Sequence, residues 1–135
     1  MRNTFTRKGT FIAYTKLSLM FLELSHTKLD IFSVSKAFVL ACYKETKSFP
    51  PDEKFAMISQ IRRAALSVHL NVTEGCSRKS LGERKRFYEI ARGSLIEVDA
   101  AIDIAVELGY TSRQKIEGLG SLIVRVFQLI SKMIG

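Results

Sequence analysis

Residues 80–109 read SLGERKRFYEIARGSLIEVDAAIDIAVELG, the longest amphipathic stretch of the chain. Ser80 and Glu83 fit the capping box, in which two side chains satisfy free backbone N–H groups at a helix N-terminus. A mostly apolar stripe then recurs every three or four residues, which is the helical period. Its members are Phe87, Ile90, Ala91, Ser94, Leu95, Val98, Ala101, Ile102 and Ala105. Because Gly109 fits a C-cap, we predict one helix about 40 Å long.

Three further helical segments accompany this one. The first spans about Ile31 to Thr46 and is stopped by two prolines, which disfavour helix at and before their own positions. The second opens at Pro51, because proline suits the first turn of a helix, and it ends at Gly75. The fourth starts near Ser112.

The fourth segment carries a second capping-box match, from Thr111 to Gln114. No stretch alternates as a strand would, and the short connections make neighbouring helices antiparallel. The sequence therefore predicts an all-α chain, an up-down-up-down antiparallel four-helix bundle over residues 29–135. We expect residues 1–28 to form an N-terminal extension that is poorly ordered or weakly helical.

The composition excludes several classes of protein. The chain has 135 residues, of which 47% are hydrophobic and 25% charged, so it is neither disordered nor of low complexity. Cys42 and Cys76 form no CxxC pair, which argues against a disulfide scaffold or a zinc site. Lys16 interrupts the apolar run near the N-terminus, and that run is too short to span a bilayer. We predict a cytoplasmic protein without a membrane partner.

Charge is distributed unevenly along the chain. Lysine and arginine number 21 against 13 acidic residues, a net charge of +8, and such a basic excess favours polyanionic partners. Eight basic and three acidic residues lie between Arg62 and Arg92. Four acids without an intervening base then follow: Glu97, Asp99, Asp103 and Glu107. The third helix is thus basic at its start and acidic toward its end, which opposes the helix dipole.

Three interpretations of this pattern remain open. The basic residues could bind phosphate groups at the start of the third helix. The basic end of one subunit could instead meet the acidic end of the next, and such head-to-tail contacts close into rings. The charges could also form a solvated face. The candidate nucleic-acid-binding residues are Arg78, Lys79, Arg84, Lys85, Arg86 and Arg92.

The residues predict no catalytic site. The chain lacks the usual metalloprotease, hydrolase and phosphate-loop motifs. His69 and Glu74 are five residues apart and do not share a helical face as a metal pair would, so we predict His69 to be a core or interface histidine. Glu74 and Arg78 fit a helical ion pair. We expect a protein that is not an enzyme and has neither a cofactor nor a metal.

Several uncharged residues also carry predictions. We expect Gln60, Asn71 and Ser94 to form hydrogen bonds between helices, because buried polar groups need partners. Gly93 lies mid-helix, where glycine costs stability, so we predict that it permits a close helix crossing. Phe87 is assigned to the core, which leaves Tyr88 as the candidate for stacking on a base.

Residues 60–75, QIRRAALSVHLNVTEG, resemble a motif of a known family. The matching block is Q-x-x-R-A-A-x-S-[IV] followed by N-[IV]-A-E-G, from the four-helix bundle proteins encoded in 23S ribosomal RNA intervening sequences. The resemblance extends over about residues 29–134. The family has proline where this chain has His69, and alanine where it has Thr73, and the first 28 residues have no counterpart. The matched polar positions include Gln60, Arg63, Asn71, Glu74, Ser94 and Glu97.

The resemblance implies a non-enzymatic bundle that assembles as a ring, typically a pentamer, with a basic surface. Related accessory variability proteins of diversity-generating retroelements bind a reverse transcriptase and nucleic acid. Our first hypothesis is a homo-oligomer that binds structured RNA, or an RNA–protein complex, through its basic surface. The alternative is an interaction scaffold that docks a protein partner such as a reverse transcriptase.

Overall fold

The computed structural model describes residues 20–135, and the first 19 residues of the predicted extension lie outside this range. Four α-helices follow one another: α1 spans Asp30–Thr46, α2 Met57–Ser77, α3 Leu81–Glu107 and α4 Glu117–Ile134. Two short 3-10 helices, Ser25–Lys28 and Pro51–Glu53, precede α1 and α2. Residues 20–135 contain no strand.

The helices form the predicted up-down-up-down bundle, in which each helix packs against two neighbours. Hydrogen bonds between α2 and α3 show that these two helices run antiparallel. Ser67 near the middle of α2 meets Ser94 in α3, and Gln60 near the start of α2 meets Glu97 further along α3. The all-α fold class is thereby confirmed.

The core lies along the bundle axis and takes residues from all four helices. Phe38 of α1, Ile61 of α2, Leu95 of α3 and Ile130 of α4 are each at most 1% exposed. Burying a side chain of this size stabilises the fold by about 1.5–3 kcal/mol. The predicted stripe on α3 is largely confirmed, since most of its members are buried. Ile90 is the exception, because 41% of it is exposed on the outer side of the helix.

The start of α2 differs from the prediction. Pro51–Glu53 form a separate 3-10 helix, and α2 begins only at Met57. The Glu53 carboxylate accepts a hydrogen bond from the Met57 backbone N–H at 3.1 Å. Glu53 also accepts a hydrogen bond from the Tyr110 hydroxyl at 2.6 Å. This carboxylate therefore caps α2 from outside it and ties the α1–α2 connection to the α3–α4 connection.

Both predicted ends of α3 are confirmed. The Ser80 hydroxyl accepts a hydrogen bond from the Glu83 N–H at 3.1 Å. Gly109 follows the helix with φ of +79°, a conformation that favours glycine. The N–H of Tyr110 bonds to the Ala105 carbonyl at 2.9 Å, as in a Schellman C-cap. This tight stop allows α4 to return along α3.

The predicted capping box from Thr111 to Gln114 is wrong, because a different residue caps this turn. The hydroxyl of Ser112, not that of Thr111, accepts a backbone hydrogen bond, from the Lys115 N–H at 3.2 Å. Thr111 is buried, and its hydroxyl has no hydrogen-bond partner within the part of the chain that the structure describes. A single turn separates this cap from α4, which begins at Glu117. None of the helices between residues 20 and 135 is both long and apolar enough for a membrane span.

Candidate nucleic-acid interface

Five of the predicted nucleic-acid-binding residues lie at the end of the bundle where α2 turns into α3. We call Arg78, Lys79, Arg84, Lys85 and Arg86 the basic turn. The first two residues occupy the connection after α2, and the other three lie in the first two turns of α3. The free N–H groups at the start of a helix lie at the same place and favour anions.

Two arginines of the basic turn hold its structure. Arg78 forms an ion pair with Glu74 one turn earlier in α2, which confirms the predicted helical pair. Arg84 donates a hydrogen bond from Nε to the Arg78 carbonyl at 2.6 Å, across the turn. Both side chains are half-buried. We infer that they position the turn as well as contributing charge.

The other three cations of the basic turn are free to meet a ligand. Lys79, Lys85 and Arg86 are exposed, and none forms an ion pair with another of the described residues. The guanidinium of Arg86 lies 5.7 Å from the centre of the Phe87 ring, and that of Arg78 lies 5.0 Å from it. These cation–π contacts orient both arginines on the surface of the turn.

Arg92 lies apart from the basic turn. It donates a hydrogen bond to the Ser131 hydroxyl of α4 at 3.2 Å, and its guanidinium lies 6.0 Å from the Phe127 ring centre. The side chain is half-buried between α3 and α4. The structure therefore places this sixth candidate in the packing between two helices.

Four of the family-matched polar residues lie in a seam between α2 and α3. Gln60 donates a hydrogen bond to Glu97, and the hydroxyls of Ser67 and Ser94 lie 2.9 Å apart. Asn71 donates to the Ser67 carbonyl at 2.8 Å and to its hydroxyl at 3.0 Å. The predicted bonds between helices are confirmed for Gln60 and Ser94, whereas Asn71 bonds within α2. This network fixes the register of the two helices.

Arg63 and Gly93 face outward beside this seam. Arg63 is exposed and forms no ion pair with the residues that the structure describes. A Cβ atom added at Gly93 would meet nothing within 4 Å among residues 20–135, so the predicted close helix crossing at Gly93 is wrong. The close approach occurs instead at Gly75, against Tyr88.

The prediction for the two adjacent aromatic residues is also wrong. Tyr88 is 6% exposed, and its hydroxyl donates to the Cys76 sulfur at 3.6 Å. Burial and this hydrogen bond raise the pKa of Tyr88 to about 12. Phe87 is the residue that reaches the surface, between two guanidiniums. Spacing does not separate the two residues, because Phe87 precedes the buried Ala91 by four residues and Tyr88 precedes it by three, and both separations fall on one helical face.

His69 lies between α1 and α2, as predicted for a core or interface histidine. Its Nδ1 is 2.7 Å from the Ser35 hydroxyl, and its ring centre is 4.8 Å from that of Phe32. Burial, followed by the charges of Lys36 and His26, holds the pKa of His69 below its ordinary value of 6.5. The imidazole is therefore neutral in the folded chain at neutral pH.

This lowered pKa predicts that acidification destabilises the bundle. Below pH 6.5 the unfolded chain takes up a proton at His69 that the folded chain resists. The contribution of neutral His69 to the free energy of unfolding is complete above pH 6.5 and is lost as the pH falls toward the pKa of His69 in the folded chain. We expect the urea midpoint to be lower at about pH 5.5 than at about pH 7.5. His69→Gln should remove most of this difference, and an unchanged difference in the variant would contradict the assignment.

The acidic half of α3 lines a groove against the start of α4. The groove has a volume of about 650 Å³, and Ile102, Val106 and Ile123 are among its apolar lining residues. Asp99 and Asp103 lie in it together with residues of α4. The basic and acidic ends of α3 therefore lie at opposite ends of the bundle. Between residues 20 and 135, no three His, Cys, Asp or Glu side chains cluster in a way that could hold a metal ion.

Comparison with known proteins supports this architecture. The family model for the 23S rRNA-intervening sequence protein matches residues 27–132. A crystal structure of a protein of unknown function from the S23 ribosomal protein family of Bacteroides thetaiotaomicron is similar, with a TM-score of 0.69 and 20% identity. The alignment covers 77% of this chain and 97% of that one, and at this identity it shows the fold alone. No curated protein matches the chain.

Proposed function

The chain belongs to the 23S rRNA-intervening sequence protein family, and from this premise we propose that it is a non-enzymatic, cytoplasmic protein that binds structured RNA. Binding takes place at the basic turn and involves either RNA alone or an RNA–protein complex. It requires no cofactor, because the contacts are made by the side chains of the turn.

One observation carries the proposal: the basic turn, at one end of the bundle, holds three exposed cations that have no acidic partner among the described residues. Lys79, Lys85 and Arg86 lie within two turns of the α3 N-terminus, where backbone N–H groups also favour phosphate. Of the nearby acids, Glu74 is already paired with Arg78, and Glu83 in the first turn of α3 forms no ion pair with another described residue. The turn therefore carries a net positive charge, which favours contacts with phosphate groups.

The chemistry of the turn favours structured RNA over a single strand. Sequence-tolerant binding of single strands uses aromatic side chains on which successive bases stack. Phe87 is half-buried beneath two guanidiniums, and Tyr88 is buried. The turn therefore lacks a stacking platform, and it would recognise the shape and charge of a folded backbone.

The salt dependence of RNA binding tests this proposal. We expect the affinity of the full chain for a base-paired RNA hairpin to fall steeply between about 50 and 200 mM salt, since each phosphate contact contributes about −0.7 to −0.9 to the slope of log K against log salt. Fluorescence anisotropy measures the slope, with an unpaired RNA of the same length as the control. A hairpin affinity that ignores salt would contradict the proposal.

The outer faces of α2 and α3 support assembly and a second candidate function. Five large apolar side chains on these faces are exposed by 37–58%: Leu66, Leu70, Ile90, Ile96 and Ile104. Large apolar side chains that are exposed on two neighbouring helices favour protein contacts. We propose a homo-oligomer, a pentamer by analogy with the family, in which the basic end of one α3 approaches the acidic end of the next.

The alternative function is a scaffold that docks a protein partner, such as a reverse transcriptase, on the same apolar faces. Light scattering in the salt series distinguishes the two functions. An oligomer that shifts to larger mass with the hairpin at low salt supports RNA binding. An oligomer that ignores the hairpin at every salt concentration favours the scaffold, and the basic turn would then serve assembly.

A further inference from the structure

A small cavity lies between the 3-10 helix Ser25–Lys28, the end of α2 and the start of α3. Its volume is about 230 Å³, room for roughly seven water molecules. The lining residues are Ser25, His26, Leu29, Cys76, Arg84 and Tyr88. None of them is acidic, and one carries a permanent positive charge.

His26, one of the lining residues, carries a side-chain nitrogen without a hydrogen-bond partner among residues 20–135. The residue is only 8% exposed, and its ring is 5.7 Å from that of Phe32. Its Nε2 atom is buried and has no hydrogen-bond partner among residues 20–135. Buried polar atoms are nearly always satisfied, so a lone imidazole nitrogen beside a polar cavity indicates a missing partner.

Arg84 supplies the charge. Its Nε is committed to the Arg78 carbonyl at 2.6 Å, which holds the guanidinium in place beside the cavity. The two Nη atoms form no hydrogen bond with any described residue and remain available as donors. A guanidinium held in this way binds a planar or tetrahedral oxyanion through two parallel bonds.

The other polar groups complete a set of donors. Ser25 is exposed and lines the cavity, as does His26, whose Nε2 is a hydrogen-bond donor in its Nε2–H tautomer. The Tyr88 hydroxyl is engaged with Cys76. Because donors and one fixed cation converge here without a carboxylate, the cavity suits an anion with several acceptor oxygens.

We propose that this cavity binds a single phosphate group, held by Arg84 and His26. The group could be the terminal phosphate of an RNA lying on the basic turn, since Arg84 belongs to both sites, or it could belong to a free small phosphate. The RNA source rests on the proposed function, whereas the free phosphate does not.

The rate at which the Cys76 thiol is labelled tests whether inorganic phosphate binds in the cavity. Cys42 is fully buried, and burial raises its pKa to about 12, so an uncharged maleimide labels only Cys76 in the folded chain. We expect phosphate to slow this labelling more than chloride does at equal ionic strength. The side-chain ¹⁵N resonance of His26 Nε2 should shift over the same concentrations.

Two variants remove the proposed ligands. His26→Phe should weaken phosphate binding about tenfold, the effect of losing one charge-assisted hydrogen bond, and Arg84→Gln, which removes two such bonds, should weaken it at least as much. His26→Phe keeps the ring that packs on Phe32. Lys28→Gln removes a charge from the same 3-10 helix outside the cavity and should leave phosphate binding unchanged. Equal protection by chloride, or unchanged binding in both ligand variants, would overturn the proposal.

Matched RNA hairpins with a terminal phosphate or a terminal hydroxyl identify the source. Tighter binding of the phosphorylated end, lost in His26→Phe, supports the RNA terminus. Phosphate binding without a preference for that end supports a free small phosphate. If the hairpins do not bind while inorganic phosphate still protects Cys76, the proposed RNA function fails and the phosphate site stands.

Discussion

Replacing Lys79, Lys85 and Arg86 together with alanine is expected to lower the affinity for a structured RNA about a hundredfold at 0.1 M salt. Each lost phosphate contact changes the slope of log K against log salt by about 0.7–0.9, so three contacts change it by about 2–3 units. The phosphate contribution to affinity vanishes near about 1 M salt. Over the tenfold range down to 0.1 M, the change in slope therefore corresponds to a change in affinity on the order of 10². The three side chains are exposed and free of ion pairs with other described residues, so the fold should persist.

The matched control removes three charges at the opposite end of the bundle. Lys44, Lys47 and Lys115 are also exposed and lie near the connections that Tyr110 and Glu53 join. Alanine at these positions lowers the net charge equally but should change affinity only a few-fold, because distant charges are screened. Equal losses in the two triple variants, measured by anisotropy at several salt concentrations, would show a general effect of net charge and not a site.

Gly75→Ala is expected to destabilise the bundle, although alanine favours helix over glycine. An added Cβ would lie 2.6 Å from Cε1 and 2.9 Å from Cδ1 of Tyr88, and 3.1 Å from Cβ of Phe87. The Tyr88 ring is 6% exposed and tied to Cys76, so it has little room to move. Overpacking of this kind costs about 1–3 kcal/mol, against a gain in helix propensity of about 1 kcal/mol.

Gly93→Ala is the control for this prediction, and its effect has the opposite sign. A Cβ there meets no described residue within 4 Å, so only the helix propensity changes. We expect a gain of about 0.5–1 kcal/mol, measured by urea unfolding alongside Gly75→Ala. Stabilisation by both substitutions would contradict the close packing of α2 and α3 at Gly75.

The comparison of α2 and α3 shows how much of the fold could be predicted from the sequence. Both ends of α3 were predicted, because Ser80 and Gly109 act through backbone atoms within their own turns. The start of α2 was missed, since the carboxylate of Glu53 caps it from an outside 3-10 helix that Tyr110 also holds. Local hydrogen bonds are encoded in neighbouring residues, whereas a cap shared with a distant residue is not.

The candidate site shows the same difference between features encoded by neighbouring residues and features set by distant ones. Sequence identified all five residues of the basic turn, because they are contiguous in two short runs. It did not separate the three free cations from the two arginines that hold the turn. Arg78 pairs with Glu74, and Arg84 donates to the Arg78 carbonyl. Arg92 was grouped with them by proximity in sequence, although it faces α4.

The four helices, their antiparallel order and the charge polarity of α3 can all be predicted from the sequence. Helical periodicity, caps and short connections act over a few residues, so they can be read along the chain. Three features follow only from the packed bundle: Tyr88 is buried and Phe87 is not, Gly75 makes the close contact, and His26 lines a cavity with residues of α2 and α3. These outcomes depend on which helix faces lie against each other, and that depends on the packing of side chains far apart in sequence.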